Sequence, residues 1–153
     1  MLTSAPPGFV PTTAARRCAA CTIDPGVPPG RTPVKTVALE RQKSEAEVVV
    51  AGPLFGTSVV TLHTLREEGR LRDYLVIHGH LDGVAPGVGP GTIVRDGDVL
   101  GFVGDTGSPE LVHLHYEVRR VRDGVDAKKT IATGGAARVV ADDVSVVCDP
   151  RNV

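Results

Sequence analysis

Aromatic residues make up only 3% of the 153-residue chain, and tryptophan is absent. A core of ordinary density must therefore be built from Val, Leu, Ile and Ala. No apolar run approaches the roughly 20 residues a helix needs to span a bilayer, which excludes a helical membrane span. Charge of one sign is lacking too. The formal net charge is −1, with 17 Lys and Arg against 18 Asp and Glu, and the basic residues are scattered, so no nucleic-acid footprint exists. Cysteine is limited to Cys18, Cys21 and Cys148, an odd number that argues against a disulfide framework. Cys18-Ala-Ala-Cys21 has the spacing of half a zinc knuckle, but no second C-x-x-C closes a four-ligand site. Free thiols or one disulfide account for these residues. The opening MLTSAPPGFVPTTAA has neither the basic start nor the apolar middle of a signal peptide, so no export signal is expected in this stretch.

Glycine (18) and proline (12) are plentiful, and 41% of residues are hydrophobic, enough for one packed domain. Residues 1–17 are rich in Pro, Ala and Thr without periodicity and read as an irregular arm, with a domain over 18–153. From Thr32 onward the apolar pattern has period two. It predicts an all-β protein with strands near Val34–Leu39, Glu47–Ala51, Thr57–Leu65, Tyr74–Leu81, Val99–Val103, Val112–Arg119 and Val144–Cys148. Turns are expected at Gly52-Pro53, Arg66–Arg72, Asp82–Gly91, Asp105–Pro109 and Asp123-Gly124. No segment has a convincing helical stripe, and KKTIATGGAARVVADD, within the 122–140 insertion and just beyond, is taken as a hairpin lining a groove wall.

Four of the five histidines fall in two H-x-H pairs, His78/His80 and His113/His115. Side chains alternate across a sheet, so DYLVIHGHLD sorts into a core face (Leu75, Ile77, Gly79, Leu81) and an opposite face (Tyr74, Val76, His78, His80, Asp82). In LVHLHYEVRR the core face is Val112, Leu114, Tyr116 and Val118, with His113, His115, Glu117 and Arg119 opposite. Any single histidine on a strand is most simply a surface or hydrogen-bonded residue, and His63 is left at that reading. Two pairs on neighbouring strands are different. Strands about 4.8 Å apart bring their imidazoles within reach of one another, which suits metal or acid–base chemistry.

The stretch YLVIHGHLDGVAPGVGPGTIVRDGDVLGFVGDTGSPELVHLHYEV resembles the core of the lysostaphin/LytM-type zinc endopeptidases. Their pattern runs from a Tyr-x-His-Leu strand through V-x-x-G-D-x-V-x-x-G and G-x-T-G to His-Leu-His-Phe/Tyr-Glu-Val. GTSVVTLH, PPGRTPV and CDPRNV resemble flanking elements of the same family, and the specific part runs from His80 to Val118. The resemblance implies a small antiparallel, sandwich-like fold with a loop-lined groove. It further implies a zinc-dependent hydrolase of peptidoglycan cross-links, placed in the cell envelope or secreted, and a monomer is assumed. It makes His115 a zinc ligand, and His80 and His113 the residues that polarise water and stabilise the oxyanion.

One departure stands out. The family draws its first ligands from H-x-x-x-D before G-T-P-V. Here Asp24 matches the carboxylate, but Ala20 stands where the histidine belongs. Cys21 is one substitute, as a thiolate binds zinc well, and His78 is another. If neither serves, the chain is a degenerate module that binds cell wall or activates a partner hydrolase. A biotinyl or lipoyl carrier, suggested by VRDGDVLGFVG, needs an attachment lysine at a hairpin tip, and no Lys lies between residues 44 and 127.

Overall fold

A computed structural model describes residues 28, 30–37 and 45–153. The expected arm 1–17, the candidate ligands Cys21 and Asp24, Cys18, Ala20, and the end of the first predicted strand lie outside these residues. The described chain forms eight strands and one α-helix. In chain order these are β1 Pro33–Lys35, β2 Ala46–Leu54, β3 Gly56–Glu67, β4 Arg70–Val84, β5 Ile93–Val94, β6 Val99–Val103, β7 His115–Val121, α1 Ala127–Gly134 and β8 Ser145–Cys148. Every pairing is antiparallel, in the order β1-β6-β4-β3-β2-β5, with β7 between β4 and β8. The all-β expectation holds.

Two expected turns are strand instead. Gly52 and Pro53 lie inside β2, on the side where β5 has already ended, so the missing proline N–H costs no ladder bond. The chain reverses two residues after Pro53, at Phe55. Arg66–Arg72 is also mostly ladder: β3 and β4 pair out to Glu67 and Arg70, leaving only Glu68 and Gly69 in the turn, both with positive φ. Such a two-residue loop matches the twist of the strands it joins.

The region after β7 is not a hairpin. Asp126 caps α1 by accepting from the Lys129 N–H at 3.0 Å, and Gly135, with φ of 80°, ends it. A 3₁₀ turn over Ala136–Val140 follows. Only Ala127 and Ile131, four apart, are buried in the helix, too short a stripe to register as helical periodicity. They pack with Val139 onto Val50, Val60, Leu75, Ile77 and Val121 and cover one face of the sheet. Val34, Val48, Val59, Leu81, Val94 and Leu100 form a second cluster, and Leu65, Tyr74, Val76 and Val118 a third. Strand β4 is therefore apolar on both faces, not one.

Leu81 has also left its expected face. Leu81 packs with Val59, which pairs across from His78, whereas strict alternation would put Leu81 with Ile77. The register between β3 and β4 slips just here, and His80 has a φ of 58°. A bulge with a non-glycine residue in the left-handed region resets which face each side chain meets.

Candidate functional site

Strand β4 changes partner at the same point. Residues 74–79 pair with β7, and residues 81–84 with β6. His80 sits at the fork. Its backbone N–H leaves the ladder to donate to the Phe55 carbonyl at 2.8 Å. The two branches meet again at a single bridge, where the His113 N–H donates to the Gly104 carbonyl at 3.1 Å. His115 opens β7, directly across from Gly79.

The fork brings three rings together. The His80 and His113 ring centroids are 4.6 Å apart, and those of His80 and His115 are 5.8 Å apart and nearly perpendicular. His115 also stacks on Phe55 at 4.3 Å. Close backbone approach is built in. A Cβ on Gly79 would meet Phe55 Cβ at 3.0 Å and His115 Cβ at 3.2 Å, so a larger residue would crowd this stack.

Each ring is fixed through one nitrogen. His80 Nδ1 lies 2.7 Å from the Thr106 carbonyl, and His113 Nδ1 lies 2.8 Å from the Leu111 carbonyl. A carbonyl only accepts, so both Nδ1 atoms carry the proton and both Nε2 atoms keep their lone pairs. His115 is held the other way round, with Nε2 3.1 Å from the Glu117 carboxylate. That leaves Nδ1 of His115 as its lone-pair atom. The result is three half-exposed bases in one cleft, each with a defined tautomer.

Thr106 is the keystone, a residue that the sequence alone did not single out. Its hydroxyl donates to the Leu81 carbonyl and accepts from the Thr57 N–H, both at 2.8 Å, while its carbonyl holds His80. The packing tolerates nothing larger nearby. A Cβ on Gly56, where φ is 59°, would fall 1.9 Å from the Thr106 oxygen. The Gly-Asp-Thr-Gly run was the available signal for this residue, and the scarcity of aromatics was the signal for Phe55.

His78 does not join the cleft. It is 1% exposed and lies on the opposite face from His115, beside Tyr116 at 5.4 Å. Neither of its ring nitrogens makes a hydrogen bond of ordinary geometry among the described residues, the nearest acceptor being the Val59 backbone. Burial lowers its pKa to about 4, against a weaker opposing pull from the Val59 backbone, and nearby His63 adds to the lowering. The predicted shared face for His78 and His80 fails because of the bulge at His80, and His78 cannot supply the missing ligand from where it is. His63 is buried as well, with Nε2 3.0 Å from the Thr61 hydroxyl and a pKa lowered by burial to about 4. The predicted core face of the His113 strand also fails in part. Val112 and Leu114 are exposed because the chain enters the sheet only at His115, Tyr116 is partly exposed within β7, and Val118 alone is buried.

Residues 31–133, well over half of the sequence, match the profile of Peptidase family M23. The chain belongs to peptidase family M23. Members are metalloendopeptidases, generally zinc-dependent and often secreted or in the cell envelope, so the lysostaphin/LytM resemblance is sound. The sequence matches no curated protein. No described helix is long and apolar enough to cross a membrane.

The donor chemistry of this M23 cleft suits zinc, because imidazole nitrogens with free lone pairs are among its preferred ligands. Among the described residues, however, no group of three His, Cys, Asp or Glu side chains is close enough to hold a metal ion. His115 Nδ1 is the described atom that fits a ligand role. The other candidate ligands, Asp24 and Cys21, lie outside the described residues.

Proposed function

We propose that this M23 chain is a zinc-dependent endopeptidase acting on peptide cross-links of bacterial peptidoglycan, in the envelope or outside the cell. Residues 18–153 would form the peptidase unit. The observation that carries the reading is the cleft in which His80, His113 and His115 present three lone-pair nitrogens from one fork in the sheet. His115, with Asp24 and Cys21, would hold the metal, which when bound supplies Lewis acidity for amide hydrolysis. One of the two Nε2 atoms, of His113 or His80, accepts a proton from the attacking water and, while it holds that proton, donates to the oxygen on which charge develops before passing the proton to the leaving amine. Their Nδ1 bonds to fixed backbone carbonyls hold the rings in the orientation that leaves Nε2 facing the cleft.

Wild-type protein incubated with purified cell walls is expected to release peptides, and His113→Ala to release none while keeping its zinc. Peptide release by His113→Ala at the wild-type rate contradicts the assignment. A second reading has one specific support, the alanine at position 20 where the family has a ligand. On that reading the chain is a binding module or a hydrolase activator, and it predicts cell-wall binding with no zinc and no release.

A further inference from the structure

His115 is the start of a chain of polar contacts that leads away from the cleft, part-buried at Glu117 and buried beyond it. Its Nε2 contacts one carboxylate oxygen of Glu117, at 3.1 Å, and the other accepts from Arg119 Nη1 at 2.5 Å. Arg119 is buried, its side chain 8% exposed. Its Nε donates to the Ser145 hydroxyl at 2.7 Å, and its Nη2 reaches the Val140 and Ser145 carbonyls, both at 3.3 Å. Ser145 in turn donates to the Val139 carbonyl at 2.5 Å. The far end of the chain is therefore the 3₁₀ turn Ala136–Val140 and the first residue of β8.

This arrangement is costly unless it is complete. A buried guanidinium needs a counter-charge, and a carboxylate largely withdrawn from water, as Glu117 is at 19% exposure, gains from a donor on each oxygen. Arg119 occupies one oxygen of Glu117. The other is left for an imidazole N–H, and only the Nε2–H tautomer of His115 supplies it. The 3₁₀ turn, which with helix α1 packs on the sheet face that also carries Glu117 and Arg119, thus also fixes the chemistry at the edge of the cleft.

We propose that Glu117 is a positioning residue for His115. Anchored by Arg119 and Ser145 to the 3₁₀ turn, it holds the imidazole in the Nε2–H form so that Nδ1 faces the cleft as a metal ligand. This rests on the zinc-peptidase reading for its purpose, but not for its geometry. Metal-binding histidines commonly donate their second N–H to a carboxylate, and removing such a partner lowers metal affinity about 10–100-fold.

Glu117→Gln is the discriminating variant, because an amide has one acceptor oxygen where the carboxylate has two. Buried Arg119 takes that oxygen, so the amide NH₂ turns toward His115 and favours the opposite tautomer. Two readouts follow. Long-range ¹H–¹⁵N correlation spectra of the metal-free wild type at pH 8 should show His115 protonated at Nε2, and Glu117→Gln should shift it toward Nδ1–H. Zinc affinity, from competition with a chromophoric chelator, should fall about 10–100-fold in Glu117→Gln. A purely structural Glu117 would change the unfolding midpoint and leave both readouts alone.

An Nδ1–H tautomer of His115 in the wild type overturns the proposal, whether or not Glu117→Gln folds. So does a folded Glu117→Gln with wild-type tautomer and zinc affinity within about twofold of wild type. The failures are separable. The expected tautomer with no cleavage of cell walls sinks the peptidase reading alone, and an active enzyme with the wrong tautomer sinks this one alone.

Discussion

The molecule holds two sets of histidines on the same few strands, and they have opposite fates. His80, His113 and His115 lie in the cleft at the fork of β4, each tied through one ring nitrogen to a carbonyl or carboxylate. His63 and His78 lie buried on the other face, where three of their four ring nitrogens make no hydrogen bond of ordinary geometry among the described residues. The residue type is the same, so its role is set by where the backbone delivers it. A hydrogen bond to one nitrogen combined with access at the other makes a usable base. Burial with neither makes a neutral filler that resists protonation.

The largest expected effect separates the two sets by function. His113→Ala should lower hydrolysis about 10²–10⁴-fold with little change in stability. His78→Leu should do the reverse, leaving hydrolysis close to wild type. Steady-state rates and urea melts on both variants measure the contrast, and a His78→Leu enzyme as inactive as His113→Ala would erase it.

Next in size is the support of the fork. Gly56→Ala places a methyl group against the Thr106 carbonyl at a residue with positive φ, and should cost about 3 kcal/mol or more in denaturant unfolding. Thr106→Val, which strands the Thr57 N–H, should cost about 1–3 kcal/mol, and Thr106→Ser should recover most of it. Equal stability of all three proteins would mean that Thr106 is not the keystone described.

The buried pair makes the fold acid-sensitive. Both histidines have native pKa values of about 4, below the unfolded value near 6.5, so below that value the unfolded chain binds protons that the native chain refuses. Their contribution to stability is intact above about pH 6.5 and is lost as pH falls toward about 4, by roughly 1–3 kcal/mol for each residue. Urea midpoints measured across this window should fall less steeply for His78→Leu than for the wild type. Identical slopes would show that His78 is not neutral in the native state. The smallest expected effect is that of Cys21→Ser, which should weaken zinc binding if the thiolate stands in for the histidine missing at position 20. Unchanged affinity removes Cys21 from the ligand set.

The period-two pattern was enough to find an all-β fold and most of its strands, because Val, Leu and Ile alternate with polar residues along them. It failed where one residue breaks the alternation. The left-handed φ of His80 cannot be read from a tripeptide Gly-His-Leu, yet it turns His80 away from His78 and toward His113. The two H-x-H pairs were visible, but their division between two faces was not. Helix α1 was hidden by its length, since eight residues with two buried positions give no stripe. Thr106 was hidden because its hydroxyl acts on Leu81, 25 residues away, and Glu117 because Arg119, which holds it, is itself anchored on Ser145, 26 residues away.

Everything proposed for the cleft at the fork requires that it hold a metal through His115. The most direct measurement is the zinc content of protein purified without chelator, wild type beside His115→Ala. About one zinc per chain in the wild type and almost none in the variant is the predicted result. Equal zinc in the two, or none in either, contradicts it.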